Sequence, residues 1–230
     1  MIRPRMFLGA NLPISYQKSL EELGFEVRLL PPYRKLQTPV ATHPDMLMCQ
    51  VNDTLFVPRD YYLENKSVFD GVCVTPVDAH IQPEYPSDVC MNALIMGDTI
   101  YGRVDVICRE VLESVKKHVF TKQGYGACST LVIAQNAAVT ADKSIAEALL
   151  QNGVDVCLIQ QGHIILEGYN YGFIGGASVR VFADCVAFFG DLSKHPDYEK
   201  MRDFANKYQT RLLSLSDAPL EDFGGGKLIY

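Results

Sequence analysis

Two apolar runs that flank a short polar turn recur along the chain, and this pattern predicts β-hairpins. The clearest example is GGASVRVFADCVAFFGD at residues 175–191, with its turn at Ala183 and Asp184. Similar segments occur at residues 45–58, 88–102 and 128–142. Aligned on Asp45, Asp88, Cys128 and Gly176, the segments begin 43, 40 and 48 residues apart, and their turns carry Asp53, Asp98, Asn136 and Asp184. This self-similarity predicts a repeat architecture.

Between the hairpins the apolar spacing changes to that of a helix, which is followed by a short apolar strand. Helices are predicted at residues 60–66, 105–118, 143–152 and 196–208, and strands at residues 71–75, 154–159 and 210–215. The glycine-rich residues 160–174 are predicted to form a further small hairpin. The repeat unit is therefore ββαβ.

The two chain ends together supply one more unit. Residues 5–30 predict strand, helix and strand, with Ser15 as the helix cap, and the terminal GGGKLIY adds one strand. Joining the ends would remove exposed sheet edges and give every repeat two neighbours. The sequence thus predicts an α/β fold, a five-bladed propeller of ββαβ repeats closed by the two chain ends.

The composition limits the class of protein. With 48% hydrophobic and 21% charged residues, residues 1–230 can bury a large core as one domain. The net charge of −6 argues against a nucleic-acid partner, which would need a basic face. No run approaches the roughly eighteen apolar residues of a membrane span, and we recognise no signal peptide. We therefore expect a cytoplasmic protein without a membrane partner.

The seven cysteines are odd in number and mostly lie in apolar runs, which favours buried free thiols over a disulfide framework. No CxxC or CxxH pair is present. We therefore expect no zinc site and no other metal or cofactor.

Two glycine-rich stretches resemble motifs of a known superfamily. The terminal GGGKLIY resembles the GGGxIHC stretch of agmatine-deiminase-like proteins, and IGGASV at residues 174–179 resembles their EGGxxH stretch. Together with the five repeats, they resemble the pentein superfamily of guanidine-group-modifying enzymes, which includes deiminases, dimethylarginine dimethylaminohydrolase and amidinotransferases. The resemblance covers nearly the whole chain and implies a pentein propeller in an uncharacterised bacterial branch.

The resemblance does not extend to the catalytic residues. In those enzymes a cysteine thiolate attacks the guanidinium carbon, a histidine transfers protons, and carboxylates hold the cationic substrate. Here the nucleophile falls on Tyr230, the histidine before it on Ile229, and the earlier histidine on Val179. The resemblance therefore implies the fold without the known chemistry.

In a pentein fan the leading residues of the repeats converge on a central channel. This implies ligand-binding positions at Asp45, Asp88, Cys128, Gly175, Gly176 and Gly225. Two carboxylates in a narrow site would attract an amine or guanidinium, and each would raise the pKa of the other. The alternative is that Asp45 and Asp88 merely accept backbone hydrogen bonds at turns.

Cys128 follows a flexible, glycine-flanked stretch and is the best candidate for an exposed thiol. As a nucleophile it would need a base, for which His43, His80 and His163 are candidates. The alternative role, which is the commoner one for a cysteine beside an apolar strand, is packing.

Two loops carry further candidates. His80 and Glu84 would form an acid–base pair, a weak metal site or only a solvated loop. The glycine-bordered loop with Glu167, Tyr169, Asn170 and Tyr171 is predicted to close over a ligand.

Three functions remain open from the sequence. The first is binding of a small cationic or amino-acid-like ligand in the central channel, without the family's catalytic cysteine and histidine. The second is hydrolysis of a C–N bond with Cys128 as nucleophile. The third is protein interaction without chemistry, as in the ribosome-associated initiation factor of the same fold, which predicts a channel filled by side chains. Enzyme activity and oligomeric state stay undetermined.

Overall fold

The computed structural model describes residues 3–229, which form five three-stranded sheets. In chain order the strands are β1 (Arg5–Gly9), β2 (Glu26–Leu30), β3 (Cys49–Val51), β4 (Thr54–Pro58), β5 (Val74–Val77), β6 (Leu94–Met96), β7 (Thr99–Gly102), β8 (Lys117–Phe120), β9 (Thr130–Ala134), β10 (Ala137–Thr140), β11 (Asp155–Leu158), β12 (Ser178–Phe182), β13 (Cys185–Phe188), β14 (Arg211–Ser214) and β15 (Lys227–Ile229). The sheets are β15-β1-β2, β3-β4-β5, β6-β7-β8, β9-β10-β11 and β12-β13-β14. The last four each consist of an antiparallel hairpin and a third strand parallel to its second strand.

Seven α-helices occur in the described part of the chain. They are α1 (Ile14–Glu22), α2 (Pro44–Leu47), α3 (Arg59–Glu64), α4 (Arg109–Glu113), α5 (Gly126–Ser129), α6 (Lys143–Gln151) and α7 (Tyr198–Lys207). Five of them connect parallel strands, whereas α2 and α5 are single turns that precede β3 and β9. Helix α6 begins after Asp142, whose carboxylate accepts the Ile145 N–H at 2.9 Å, and stops where Gly153 adopts a φ of +78°. The predicted ββαβ unit is confirmed.

The remaining sheet joins the two ends of the chain. Strand β1 pairs antiparallel with β15, placing Arg5 opposite Ile229, and parallel with β2. The fifth unit predicted from the chain ends is therefore present. The predicted turn residues of the four hairpins also lie between paired strands, namely Asp53, Asp98, Asn136 and Asp184.

The predicted helix at residues 105–118 is wrong over most of its length. Helix α4 covers only Arg109–Glu113, and Lys117–Phe120 forms β8. Strand β8 pairs with β7 from Thr99 opposite Lys117. The backbone groups on one edge of β7 need hydrogen-bond partners, and β8 supplies them. This tertiary pairing outweighs the helical spacing of the apolar residues.

Three smaller predictions also differ from the structure. Ser15 lies inside α1, whose N-cap is Pro13, so it caps nothing. The strand predicted at residues 71–75 begins only at Val74 and buries only Val77. Residues 160–174 form no hairpin; they make one isolated bridge, between Ile165 and Glu221. A loop that packs on another loop has no second strand with which to pair.

The apolar core lies between the sheets and the connecting helices. On α6, Ile145 and Leu149 are fully buried against Leu94, Met96 and Tyr101 of the neighbouring sheet. Adjacent sheets therefore share core residues. Six of the seven cysteines are buried, and all seven are free thiols. Cys128 is only 4% exposed and Cys73 is the exposed thiol, so the prediction of an exposed thiol at Cys128 is wrong. Within residues 3–229 no helix has the length and apolar character needed to cross a lipid bilayer.

Candidate functional site

One edge strand from each of the five sheets lines a common opening of about 660 Å³. Gln50 of β3, Ile95 of β6, Leu131 of β9, Val179 of β12 and Leu228 of β15 all contribute to it. The candidates from the sequence lie just before these strands. Asp45 is in α2, Asp88 in a 3-10 turn, Cys128 in α5, and the glycines at 175–176 and 224–226 precede β12 and β15.

Asn92 orients Cys128. Its side-chain oxygen accepts the N–H groups of Ala127 at 2.9 Å and of Cys128 at 3.3 Å. Its side-chain nitrogen donates to the Cys128 Sγ at 2.9 Å. Asn92 is fully buried, so this single amide fixes both the start of α5 and the direction of the thiol. Asn92 was not predicted from the sequence, because nothing in the local pattern distinguishes it from a turn residue.

Asp222 is the second residue that the sequence analysis missed. Its two oxygens accept the N–H of Phe173 at 2.8 Å and the N–H of Gly224 at 2.9 Å. A Cβ on Gly176 would come within 1.9 Å of the Asp222 carboxylate. Only glycine at position 176 therefore leaves room for the Asp222 carboxylate. The only signal in the sequence is an acidic residue two positions before a glycine run, which is typical of many turns.

His43 lies beside Asp222, with 3.9 Å between its Nδ1 and the Asp222 Oδ1. Both side chains are 1% exposed, and the His43 Nε2 has no hydrogen-bond partner among the described residues. Gly224 has a φ of +75°, and a Cβ there would overlap His43. The terminal glycine run thus permits the close approach of two buried ionisable groups.

Of the two buried acids Asp45 and Asp222, Asp45 has the more strongly raised pKa. It is 4% exposed, and neither carboxylate oxygen has a hydrogen-bond partner of standard geometry within residues 3–229. Burial raises its pKa to about 8, and the charge of Asp222 adds to this. The nearby Cys128 thiol and the more distant Lys227 ammonium act in the opposite direction.

The other three groups are also shifted by burial. The pKa of Asp222 is raised to about 6, against the effect of its two backbone N–H donors, and the pKa of His43 is lowered to about 4. Burial raises the pKa of Cys128 well above its usual range, and the charges of Asp45 and Asp222 raise it further. At neutral pH the site therefore holds a thiol and a neutral imidazole rather than a thiolate–imidazolium pair.

His43, Cys128 and Asp222 line a second cavity, of about 210 Å³. Its other lining residues are mostly apolar or aromatic, namely Val40, Met46, Tyr125, Leu166, Tyr169, Asn170, Tyr171 and Phe173. The predicted lid residues Tyr169, Asn170 and Tyr171 therefore do line a cavity. Glu167 does not; it is exposed, and its charge acts on Glu221. The volume is below that of typical ligand sites, which suits a small ligand.

The remaining candidates lie away from this cavity. Asp88 accepts the Tyr125 hydroxyl at 2.6 Å, and it is Asp222 rather than Asp88 whose charge acts on Asp45. His80 and Glu84 are exposed. Among the described residues no group of three or more His, Cys, Asp or Glu side chains is arranged to hold a metal ion.

Three of the positions implied as ligand-binding, Asp45, Gly175 and Gly225, line the wider opening. Gly176 lines neither the opening nor the cavity and packs against Asp222. A Cβ on Gly175 would lie within 2.6 Å of three backbone carbonyl oxygens, those of Ala127, Cys128 and Thr130. The first role of Gly175 is therefore close packing of backbone around α5. Val179 and Ile229, where the family's histidines would fall, are residues of β12 and β15, and Tyr230 is outside the described residues.

Comparison with known proteins shows one family match for the sequence and several structural matches for the fold. The profile of a family of unknown function, DUF6873, matches residues 8–226. No curated protein matches the sequence. Several solved structures match over nearly the whole chain, and three of them share 11–12% identity with it.

One is a dimethylarginine dimethylaminohydrolase in an adduct with S-methyl-L-thiocitrulline, with a TM-score of 0.57, 12% identity, and coverage of 98% of this chain and 97% of that one. Another is the dimethylarginine dimethylaminohydrolase of Pseudomonas aeruginosa complexed with citrulline, with a TM-score of 0.53, 11% identity and the same coverage. The third is an amidinotransferase of saxitoxin biosynthesis from Microseira wollei, with a TM-score of 0.55, 12% identity, and coverage of 93% and 88%. The resemblance to the pentein superfamily is confirmed at the level of the fold.

Proposed function

This chain belongs to the family of unknown function DUF6873, and we propose that it binds a small organic cation at the centre of a pentein fold. One observation carries the proposal. Asp45 and Asp222 are both buried acids, the charge of Asp222 acts on Asp45, and no lysine or arginine forms an ion pair with either one within residues 3–229.

Neither Asp45 nor Asp222 has a lysine or arginine partner within the described residues to balance its charge. A buried carboxylate without a counter-charge is costly, so it either takes up a proton or finds a cation. The raised pKa of Asp45, about 8, and of Asp222, about 6, express that cost. Asp222 lines the cavity of about 210 Å³, whereas Asp45 lines the wider opening. An amine or guanidinium in the cavity would contact Asp222 and would lower the pKa of both groups, because its charge would oppose the effect of Asp222 on Asp45.

We also infer that the five sheets close into a ring around this site. The β1–β15 pair joins the two ends of the chain, and one edge strand from each of the five sheets lines the same opening. A closed ring would hold α2, α5 and the terminal glycine run in fixed positions around the carboxylates. It would also leave fewer unpaired sheet edges.

Calorimetric titration of the full chain with small cations tests the proposal. We expect agmatine, choline or guanidinium to bind at pH 7 with release of protons, because Asp45 loses its proton when a cation arrives. The proton release appears as a dependence of the binding heat on the ionisation enthalpy of the buffer.

Two variants provide the comparison. Asp222→Asn should weaken cation binding at least tenfold, since it removes a buried charge that contacts the cavity. Asp184→Asn, at an exposed hairpin turn, should leave binding unchanged. If no cation binds, or if both variants bind like the parent protein, the proposal is wrong.

A second candidate, a thiol-dependent C–N hydrolase, is supported by one further observation. The Cys128 thiol, the unpartnered Nε2 of His43 and the Asp222 carboxylate belong to residues of one cavity. A bound cation would lower the pKa of Cys128 and favour the thiolate. The thiolate would then form a bond to the electrophilic carbon, the amine would leave with a proton relayed by His43, and water would cleave the carbon–sulfur bond.

Labelling with iodoacetamide tests this candidate. In a Cys73→Ser background, which removes the exposed thiol, we expect Cys128 to be the cysteine modified first in the native protein, and faster with a bound cation. Mass spectrometry of the peptides identifies the site. Absence of label on Cys128 in the native state would discard the hydrolase. The interaction-module alternative predicts a filled channel, and the open cavity of about 210 Å³ gives it no support.

A further inference from the structure

The cavity that contains His43, Cys128 and Asp222 has an aromatic wall. Four of its lining residues are Tyr125, Tyr169, Tyr171 and Phe173. The Phe173 ring is 6.0 Å from the Tyr125 ring and 5.9 Å from the Tyr171 ring, centroid to centroid, and the second pair meets edge to face. Three of the four rings, those of Tyr125, Phe173 and Tyr171, therefore form one connected group, and Tyr169 lines the same cavity.

The tyrosine hydroxyls of this wall are engaged outside the cavity. Tyr125 donates to Asp88 at 2.6 Å and Tyr169 donates to Gln37 at 3.2 Å. Tyr171 accepts from the Gln161 side chain at 2.6 Å. Asp88, Gln37 and Gln161 do not line the cavity. With their hydroxyls held there, the tyrosines offer the ligand ring surface rather than hydrogen bonds.

Besides the tyrosines, the polar side chains that line the cavity are His43, Cys128, Asn170 and Asp222. Each Asp222 oxygen already accepts one backbone N–H, and the Cys128 sulfur already accepts from Asn92. His43 contributes one unpartnered nitrogen. A guanidinium brings five N–H donors, most of which would stay unpaired against aromatic carbon. A quaternary ammonium has no N–H to satisfy, and it needs only negative charge and aromatic faces.

We propose that this cavity selects a quaternary or fully N-alkylated ammonium group over guanidinium and primary amines. The inference rests on the proposed cation binding and names the class of cation. Asp222 supplies the charge and the wall of Tyr125, Tyr169, Tyr171 and Phe173 supplies the contact. The volume of about 210 Å³ corresponds to about seven water molecules, which suits a trialkylammonium head group.

The first experiment compares ligands by NMR or calorimetric titration of the full chain. The set is choline, tetramethylammonium, guanidinium and 3,3-dimethyl-1-butanol, a neutral analogue of choline in which carbon replaces nitrogen. We expect choline to bind about tenfold more tightly than both guanidinium and the neutral analogue.

The second experiment changes the wall. Phe173→Leu should weaken choline binding roughly three- to thirtyfold while changing guanidinium binding less. Tyr169→Leu is the second variant, because Tyr169 is 40% exposed and its loss should not endanger folding. Phe182→Leu, at an exposed aromatic residue of the wider opening, is the matched control and should leave choline binding unchanged.

The outcomes separate this inference from the proposed function. Guanidinium binding as tightly as choline, or equal affinities for choline and its neutral analogue, would overturn the inference. In the first case the cation site itself would still stand. Choline affinity that survives both leucine substitutions would also overturn the inference. If none of the cations binds, both are wrong.

Discussion

Aspartates at the centre of the molecule and beside α6 differ in whether their carboxyl groups have hydrogen-bond partners. Next to α6, Asp142 accepts hydrogen bonds from the Ile145 N–H and the Ser144 hydroxyl, and Leu149 is buried among apolar neighbours. At the centre, Asp45 is buried just as deeply as the core but lacks a hydrogen-bond partner in the described structure. The sheet is arranged for stability, and the centre is not.

The difference supports the proposed site at the centre. A buried carboxyl group without a partner reduces stability, and Asp45 is such a group. The same reasoning applies to His43, which is buried with an open nitrogen beside Asp222. Local rules of folding are obeyed in the sheets and broken at the centre, as is usual for binding sites.

The largest expected effect concerns the apolar side of this comparison. Leu149→Ala should lower the free energy of unfolding by about 3 kcal/mol, because it leaves a cavity in a fully buried cluster. Leu150→Ala, at the neighbouring position and 57% exposed, should cost less than about 0.5 kcal/mol. Urea unfolding measures both. Equal losses would mean that α6 is not packed as described.

The second prediction tests the packing of backbone around the site. Gly176→Ala should cost about 2 kcal/mol and should displace Asp222, since the new Cβ would overlap its carboxylate. Cation binding should fall together with stability. In Gly153→Ala the new Cβ meets no atom, so only about 1 kcal/mol of backbone strain is expected, with binding intact. Binding that survives Gly176→Ala would show that Asp222 is not part of the site.

The third prediction uses pH to distinguish the two regions. The pKa of Asp45 is about 8 in the folded protein and near 3.8 when exposed, so the folded state holds a proton that the unfolded chain has released. Stability should therefore fall as the pH rises, by at most about 1.4 kcal/mol per unit. His43, with its pKa lowered from 6.5 to about 4, acts in the opposite direction, but only below pH 6.5.

Asp222, with its pKa raised to about 6, acts in the same direction as Asp45 but mainly below pH 7, so the window that isolates Asp45 is pH 7 to 8. Between these values the parent protein should lose stability, and Asp45→Asn should show a nearly flat profile. Thermal or urea unfolding at several pH values gives the slopes. Identical slopes in the two proteins would contradict a buried, unpaired Asp45.

The smallest expected effect concerns Asp142, the carboxylate that, unlike Asp45, has hydrogen-bond partners. Asp142→Ala should cost about 1 kcal/mol, because it removes the hydrogen bonds that cap α6. Asp142→Asn keeps a capping oxygen and should cost much less. If Asp142→Ala were stabilising, the contrast between a satisfied and an unsatisfied carboxylate would fail.

The extent to which the sequence predicted the site differs from residue to residue. Cys128 and Asp45 were found because they lead repeats, and position in a repeat is a property of the sequence. Asn92 and Asp222 were missed because their roles depend on partners distant in the chain, such as Cys128 and Phe173. No local pattern records a hydrogen bond across 36 or 49 residues.

The sequence by itself determined the repeat unit, the hairpin turns and the sheet shared by the two chain ends, because alternation, turn residues and glycines act over a few residues. Only the tertiary structure decided that residues 117–120 form a strand rather than helix, since an unpaired strand edge had to be filled. It also decided which carboxylate acts on Asp45. That partner is Asp222 rather than Asp88, because backbone packing around the terminal glycines brings Asp222 to the centre.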